Sequence, residues 1–391
     1  MVIDMVGAAR RLDARQAGAD VVVAHDYLTQ RGGAERVALE LALQFEAREL
    51  ITSVHDPALT FDGFHDVTIR QSDSKLLRGM HGDMRRALPL LAPAWTRFEP
   101  VDSEILLCSS SGWAHGLRAG ADTFKVVYCH NPARWLYQRS DYLKGHSLPV
   151  RATLAALSPT LRTWDARAAH TADLYIANSR AVATRIHDAY GIRAEVVHPP
   201  VSVDAGGVQH NVPGLEPGYF LTVSRARGYK GTELLIDAFA RMPQRRLVIV
   251  GSLPEHDLPA NVTALGVVSE QELRWLYTNA TALTSVSHED FGLTVLEANS
   301  FGCPALVLRA GGFLESTAEG VSGLFIEEEN SESIVAAVRG FPTVWDDAAI
   351  RAHAERFSSA SFARQLRDVI DSRRSGSPHS RRPRAVTRHA P

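Results

Sequence analysis

The stretch Thr281–Leu308, TALTSVSHEDFGLTVLEANSFGCPALVL, decides the fold. A short β-prone run (Thr281–Thr284) leads through a polar loop into a helix-forming run (Gly292–Phe301) and on to a second apolar run, Ala305–Leu308. Strand, helix and strand in so short a length form the βαβ unit, whose strands pair in parallel. Upstream the alternation continues as strand Tyr219–Val223, helix Thr232–Arg241, strand Arg246–Val250 and helix Ser269–Asn279. Ser269 and Glu272 stand at capping-box spacing, which marks that last helix start.

The first half repeats the pattern. Val21–His25, Leu50–Val54, Ile105–Ser109, Lys125–His130 and Leu174–Asn178 read as strands. Gly33–Phe45, Arg151–His170 and Arg180–Tyr190 read as helices between them. The strand runs are nearly continuously apolar, as in sheets covered on both faces. Between the halves, Val197–Phe220 is dense in Pro and Gly and lacks periodicity, a linker composition. The expected fold class is therefore α/β, with two facing doubly wound Rossmann-like domains and an interdomain cleft, where ligands meet the carboxyl ends of the strands. The expected boundaries are 1–200 for an acceptor-side domain and 201–355 for a donor domain. A C-terminal helix at 356–372 is expected to pack back on the first domain, and a disordered basic tail to occupy 373–391.

Composition narrows the function. The 391 residues are 45% hydrophobic and 22% charged, enough apolar material for two cores. Lys plus Arg (42) against Asp plus Glu (44) leaves −2, so nothing calls for nucleic acid as the main partner. No apolar run reaches the roughly 18 residues of a spanning helix, and the N-terminus lacks the apolar stretch of a secretory signal. Cys108, Cys129 and Cys303 are scattered without CxxC spacing, which fits a reducing compartment and no zinc cage. A cytoplasmic protein is expected. The tail from Ser372 carries six Arg and no acid; a solvated tail is the simple reading, and RNA or anionic lipid the alternatives.

Four segments carry candidate chemistry. In Ser287–Glu297, SHEDFGLTVLE, a helix starting near Gly292 leaves Glu289 in the preceding loop and Glu297 in the second turn. At about 1.5 Å per residue the two carboxylates lie roughly 8–12 Å apart, the span from a hexose past two phosphates to a ribose. The amides of Phe291, Gly292 and Leu293 lie at the positive end of that helix, an anion site. The structural alternative is two surface glutamates around a helix start. In Ser224–Gly231, SRARGYKG, Arg225 and Lys230 follow a strand and suit a diphosphate; the alternative is a solvated basic turn. In His25–Arg36, HDYLTQRGGAER, Gly32 and Gly33 precede a helix and let bare backbone meet phosphate or sugar. This is not GxGxxG, which argues against a nicotinamide cofactor. In Tyr128–Leu143, YCHNPARWLYQRSDYL, His130 ends a strand, with Arg134 beside it, and both are expected to face the cleft. Trp135, Tyr137 and Tyr142 suit sugar faces and a core equally well.

Glu289-x7-Glu297, Arg225-x4-Lys230, Gly32-Gly33 and His130 occur in the order seen in the retaining family-4 glycosyltransferases of the GT-B fold, which the chain resembles over about residues 21–370. The likeness is strongest across Ser224–Lys230 and Val262–Leu324. HDYLTQRGGAERV and HNPARW resemble the mannosyltransferase branch that builds bacterial cell-surface polysaccharides, although that branch usually has Trp-Asp where Tyr137-Gln138 stand. The resemblance implies that Arg225 and Lys230 hold a donor diphosphate, Glu297 the ribose hydroxyls and Glu289 the hydroxyls of the transferred sugar. It further implies that the Phe291–Leu293 amides and Gly33 contact sugar and phosphate, and that His130 sits beside the anomeric carbon. Ser179, in ANSRAV, matches a cleft-facing position of the family and equally suits a helix cap.

The implied reaction is retaining transfer of a hexose, with mannose from GDP-mannose the leading expectation. A UDP-sugar donor, a sugar-nucleotide epimerase and a non-catalytic nucleotide-sugar binder are the alternatives. No D-x-D occurs, so no metal and no cofactor is expected, and side-chain cations take the metal's place at the phosphates. The implied acceptor is a lipid-linked or cell-surface saccharide. Ser74–Trp95 mixes Lys75, Arg78, Arg85 and Arg86 with Leu, Met and Trp, as peripheral contact with the inner face of an anionic membrane requires; a packed helical hairpin is the alternative.

Overall fold

The computed structural model describes residues 19–74, 77, 88–138, 148–223, 231–251 and 257–376. Contacts divide the chain into two compact units: Met1–Ile176, Ile186–Glu195 and Leu366–Pro391 form the first, and Ala177–Arg185 with Val196–Gln365 the second. The division therefore falls at Val196, where the composition break suggested residue 200, and Ala177–Arg185 goes with the second unit.

The first unit holds a seven-stranded sheet in the order β3-β2-β1-β4-β5-β6-β7. Its strands are β1 (Val21–His25), β2 (Glu49–Thr52), β3 (Ile69–Gln71), β4 (Ile105–Ser110), β5 (Phe124–Cys129), β6 (Leu174–Ala177) and β7 (Glu195–Val196). β1 lies between β2 and β4, parallel to both, with His25 level with Thr52 on one side and Ser109 on the other. Every residue of β1, β4 and β5 is buried, which is why they read as nearly continuous apolar runs. Lys125 in β5 is the long cationic side chain among them. Its ammonium donates to the His115 carbonyl and the Thr171 hydroxyl, both at 2.6 Å, and burial lowers its pKa.

The second unit holds a six-stranded sheet in the order β10-β9-β8-β11-β12-β13. These are β8 (Tyr219–Val223), β9 (Leu247–Val250), β10 (Val262–Gly266), β11 (Ala280–Ser285), β12 (Ala305–Leu308) and β13 (Gly323–Ile326), paired in parallel. Alternate residues of β8 serve opposite faces. Phe220 joins Leu235, Phe239, Ile249 and Val338 on one side, while Tyr219 and Leu221 join Val248, Leu276 and Val295 on the other. In both sheets the strand order reverses beside the unit's first strand, at β1/β4 and at β8/β11. Loops leaving the carboxyl ends there diverge to opposite faces and leave a crevice.

The edge strands β3, β7, β10 and β13 are not legible in the sequence. β3 and β7 have three and two residues, all only partly buried, and β10 exposes Thr263 and Ala264. β3 and β7 are too short to have a period, and β10 has exposed positions in place of a continuous apolar run. The structure also adds the helices Leu88–Arg97, Ser331–Arg339 and Asp347–Glu355. The C-terminal helix spans Ser359–Ser375. From Leu366 it belongs to the first unit, where Arg367 donates to the Gln44 carbonyl and lies 4.9 Å over the Phe45 ring, and Arg373 pairs with Glu195. Residues 377–391 of the basic tail lie outside the described residues, as do Lys75, Arg78, Arg85 and Arg86. At the end of the segment expected at a membrane, Leu91 and Trp95 are fully buried, so these apolar positions serve the core. Among the described residues no helix is long and apolar enough to cross a membrane.

Candidate functional site

In the second unit Glu289, Gly292 and Glu297 follow the end of β11. The helix Leu293–Ser300 starts on Gly292, which has a left-handed backbone (φ +88°). A Cβ there would also lie 2.6 Å from the Phe313 ring, so conformation and space both demand glycine. At Gly231, which caps the helix Thr232–Ala240, a Cβ would stand 2.3 Å from a Val286 methyl, so the start of that helix abuts the β11 loop. Arg225 and Lys230 lie outside the described residues.

Glu289 is half-buried in the β11 loop. Its Oε1 accepts the Ser287 hydroxyl at 3.1 Å, Ser287 is 2.9 Å from the Ser285 hydroxyl, and the Glu289 carbonyl accepts the Gly312 N–H at 2.9 Å. Glu297 falls in the second helical turn, and its Oε2 accepts the Tyr277 hydroxyl at 3.2 Å. Tyr277 comes from helix Glu270–Asn279, which starts on the expected Ser269–Glu272 capping box. The Phe291 side chain turns inward to stack on His198, with ring centroids 5.1 Å apart, leaving only its backbone for a ligand. Leu293 opens the helix, where the first amides have no intrahelical acceptor. Sequence reasoning missed the supports of this loop. Asp290 pairs with Arg185 at 2.5 Å, and Glu315 accepts the Arg180 N–H at 2.8 Å and contacts His198 Nε2 at 2.9 Å.

In the first unit a buried polar chain crosses the ends of β1, β4 and β5. His130 Nε2 lies 2.8 Å from the Ser109 hydroxyl, which lies 3.0 Å from His25 Nδ1. His25 Nε2 is in turn 3.9 Å from the buried Glu35 carboxylate. Burial and, secondarily, His25 push the His130 pKa down to about 3, so the ring is neutral at physiological pH. Next to this chain Asp26 takes N–H groups from Ser111, Trp113 and Ala114 at 2.6–3.1 Å and so pins the β4 loop. Gly32 caps the helix Gly33–Gln44 with extended backbone (φ −124°, ψ 171°) that any residue adopts, so left-handed freedom is not the reason for glycine there. Gly33 is that helix's first residue and is partly exposed.

The remaining candidates have the following surroundings. Trp135 is buried and stacks on Trp113 with centroids 4.7 Å apart. Tyr137 donates to Asp165 at 2.8 Å, beside Tyr190, which does the same, and His115, paired at 3.1 Å. Trp135 therefore serves the core, Tyr137 is half-buried with its hydroxyl on Asp165, and Tyr142 lies outside the described residues. Arg134 is half-buried at the start of the short helix Arg134–Tyr137. Ser179 is buried, and its hydroxyl accepts the Val182 N–H at 3.1 Å, the capping role.

Glycosyltransferase Family 4 matches residues 31–205, and Glycosyl transferases group 1 matches residues 209–343. The alpha-1,3/1,6-mannosyltransferase ALG2 of Homo sapiens is 24% identical over 86% of this chain and 92% of its own length. D-inositol 3-phosphate glycosyltransferase of Streptosporangium roseum is 28% identical over 54% of this chain and 58% of its own, so the chain spans little more than half of that relative. Among solved structures, Anabaena Alr3699/HepE in complex with UDP and glucose superposes with a TM-score of 0.64 at 18% identity, covering 90% of this chain and 99% of that one. The chain belongs to the family-4 glycosyltransferases of the GT-B fold.

Proposed function

We propose that the chain transfers a hexose, with retention, from a nucleoside-diphosphate sugar to a hydroxyl of a lipid-linked or cell-surface saccharide, and that the donor is GDP-mannose. The observation that carries this reading is the glycine-tied loop at the β8/β11 reversal, which presents Glu289 ahead of a helix N-terminus and Glu297 within it. The mannosyltransferase relative favours mannose. A UDP-sugar donor is the second reading, favoured by the structural neighbour holding UDP and glucose.

The chemistry follows from charge. Breaking the C1–O bond leaves an oxocarbenium-like carbon and a leaving diphosphate that gains negative charge. Arg225, Lys230 and the amides at Phe291, Gly292 and Leu293 bind that charge more tightly as it grows, and so lower the barrier. Side-chain cations do this work without a metal in the proposed reaction. Glu297 takes the ribose hydroxyls and Glu289 those of the sugar. Gly32 and Gly33 offer backbone to phosphate or sugar, and His130 and Arg134 are the further residues proposed for transfer. Same-face attack leaves a donor phosphate oxygen to take the acceptor's proton. The enzyme works in the cytoplasm at the inner face of an anionic membrane, where its acceptor is anchored, and needs no nucleic acid.

Thermal-shift screening against GDP-, UDP-, ADP- and TDP-sugars, followed by a coupled assay of nucleoside-diphosphate release, tests the proposal. Selective stabilisation by GDP-mannose and release of GDP are expected. Stabilisation by a UDP-sugar alone would move the donor to the second reading, and no response to any of them would remove the function.

A further inference from the structure

Within the second unit, the loop that carries Glu289 rests on the turn Gly311–Ser316. Its backbone lies directly against that turn. The Gly312 N–H donates to the Glu289 carbonyl at 2.9 Å, and a Cβ on Gly312 would stand 2.2 Å from the Phe291 Cα. The Phe291 side chain is held by rings instead. His198 stacks on it with centroids 5.1 Å apart and planes 20° apart, and Phe357 lies 5.7 Å from both. The His198 side chain is 31% exposed, so packing fixes its ring plane only in part. Glu315 supplies the rest, because its Oε2 accepts from His198 Nε2 at 2.9 Å. The carboxylate is itself anchored. It is 9% exposed and accepts the Arg180 N–H on both oxygens, at 2.8 and 3.1 Å. That N–H opens the helix Arg180–Tyr190, whose positive end favours a carboxylate. An anchored carboxylate on a ring nitrogen makes a charge-assisted bond of defined direction.

We propose that Glu315 is a positioning residue for donor binding: through His198 it holds the Phe291 ring, and thereby the Phe291–Leu293 backbone that meets the nucleoside diphosphate. The donor role rests on the functional reading above, whereas the path from Glu315 to the loop stands on the contacts alone. Two supports meet at Phe291, with Gly312 against its Cα and His198 against its ring. A ring that shifts carries its own amide and the two that follow. Amides aimed at a phosphate lose much of their effect when displaced by a fraction of an ångström. Glu315 reaches the donor only through this path, which sets its role apart from those of Glu289 and Glu297.

The test joins hydrogen exchange to nucleotide titration, both on the full chain. The Gly312 and Val295 N–H groups bond the Glu289 and Gly292 carbonyls, so their exchange reports the state of the loop. In Glu315→Ala they should exchange about fivefold faster or more, while the amides of β8 keep wild-type protection, which separates a loosened loop from a weakened fold. Calorimetric titration of GDP and of UDP should show about tenfold weaker binding of whichever nucleotide the wild type takes up. His198→Ala truncates a partly exposed side chain and should give the same two changes; it carries the test if Glu315→Ala does not fold. Because Glu315 acts through His198, the double variant should bind within about twofold of His198→Ala alone, whereas independent contributions would multiply. Unchanged exchange at Gly312 and Val295, unchanged affinity in the single variants, or losses that multiply in the double variant would overturn the proposal. Faster loop exchange in the variants of a protein whose wild type takes up neither nucleotide would instead overturn the donor reading, and this role with it, while the path from Glu315 to the loop would stand.

Discussion

Gly292→Ala puts the architecture of the donor loop under a measurable load. At φ +88° an added Cβ faces the steric cost of left-handed backbone, about 1–2 kcal/mol for an L-residue. The same Cβ meets the fully buried Phe313 ring at 2.6 and 2.7 Å and the Ser316 hydroxyl at 3.2 Å. Overpacking of that kind costs about 1–3 kcal/mol, which makes the expected total about 2–5 kcal/mol. Gly320→Ala separates the two contributions, because Gly320 has φ +75° and a methyl group placed on it would have nothing within 4 Å, so backbone strain alone acts there. Urea unfolding with linear extrapolation reads both variants on one scale. Gly292→Ala should lose clearly more stability than Gly320→Ala, and the altered loop should bind nucleoside diphosphate more weakly. Equal losses in the two variants, or a Gly292→Ala protein as stable as the wild type, would refute the packing argument.

Further outcomes follow from the buried ionisable groups and the proposed ligands. The ordinary His130 pKa of 6.5 falls to about 3 in the folded chain through burial and, secondarily, His25. Between those values the unfolded chain binds a proton that the folded chain refuses, so stability should fall as pH drops below 6.5, by ~2 kcal/mol at pH 5 from this ring; urea titrations of wild type and His130→Gln should show a shallower slope in the variant. Asp165→Ala, which strands the Tyr137 and Tyr190 hydroxyls and takes the carboxylate from His115 Nε2, should cost about 3–5 kcal/mol by the same unfolding assay. Glu289→Gln should leave donor affinity near wild type and reduce turnover, a kcat-against-KM split read in the coupled release assay.

The sheet interiors were legible because their strands are covered on both faces and carry nearly continuous apolar runs, Val21–Ala24 and Ala305–Leu308 among them. The Ser269–Glu272 cap was legible because its reciprocal bonds need only a local spacing. That Glu289 precedes a helix and Glu297 lies in its second turn was readable because one loop and one helix carry both. Contacts made by distant segments were not. His25 and Ser109 are 84 residues apart and meet only because β1 and β4 are neighbours in register. Tyr277 reaches Glu297 from another helix, and no local pattern announces it. The fate of Trp135 and Tyr137 was equally hidden, since an aromatic suits a sugar and a core alike until Trp113 and Asp165 are seen against them.

Calorimetric titration of GDP and UDP into the wild type, Lys230→Ala and Glu297→Gln tests the donor-binding claim without needing an acceptor. The account predicts that the wild type binds, and that each variant loses about tenfold or more in affinity while remaining folded, as expected when a charge-assisted contact to phosphate or ribose is removed. Wild-type protein that takes up neither nucleotide, or variants that bind as tightly as the parent, would contradict it.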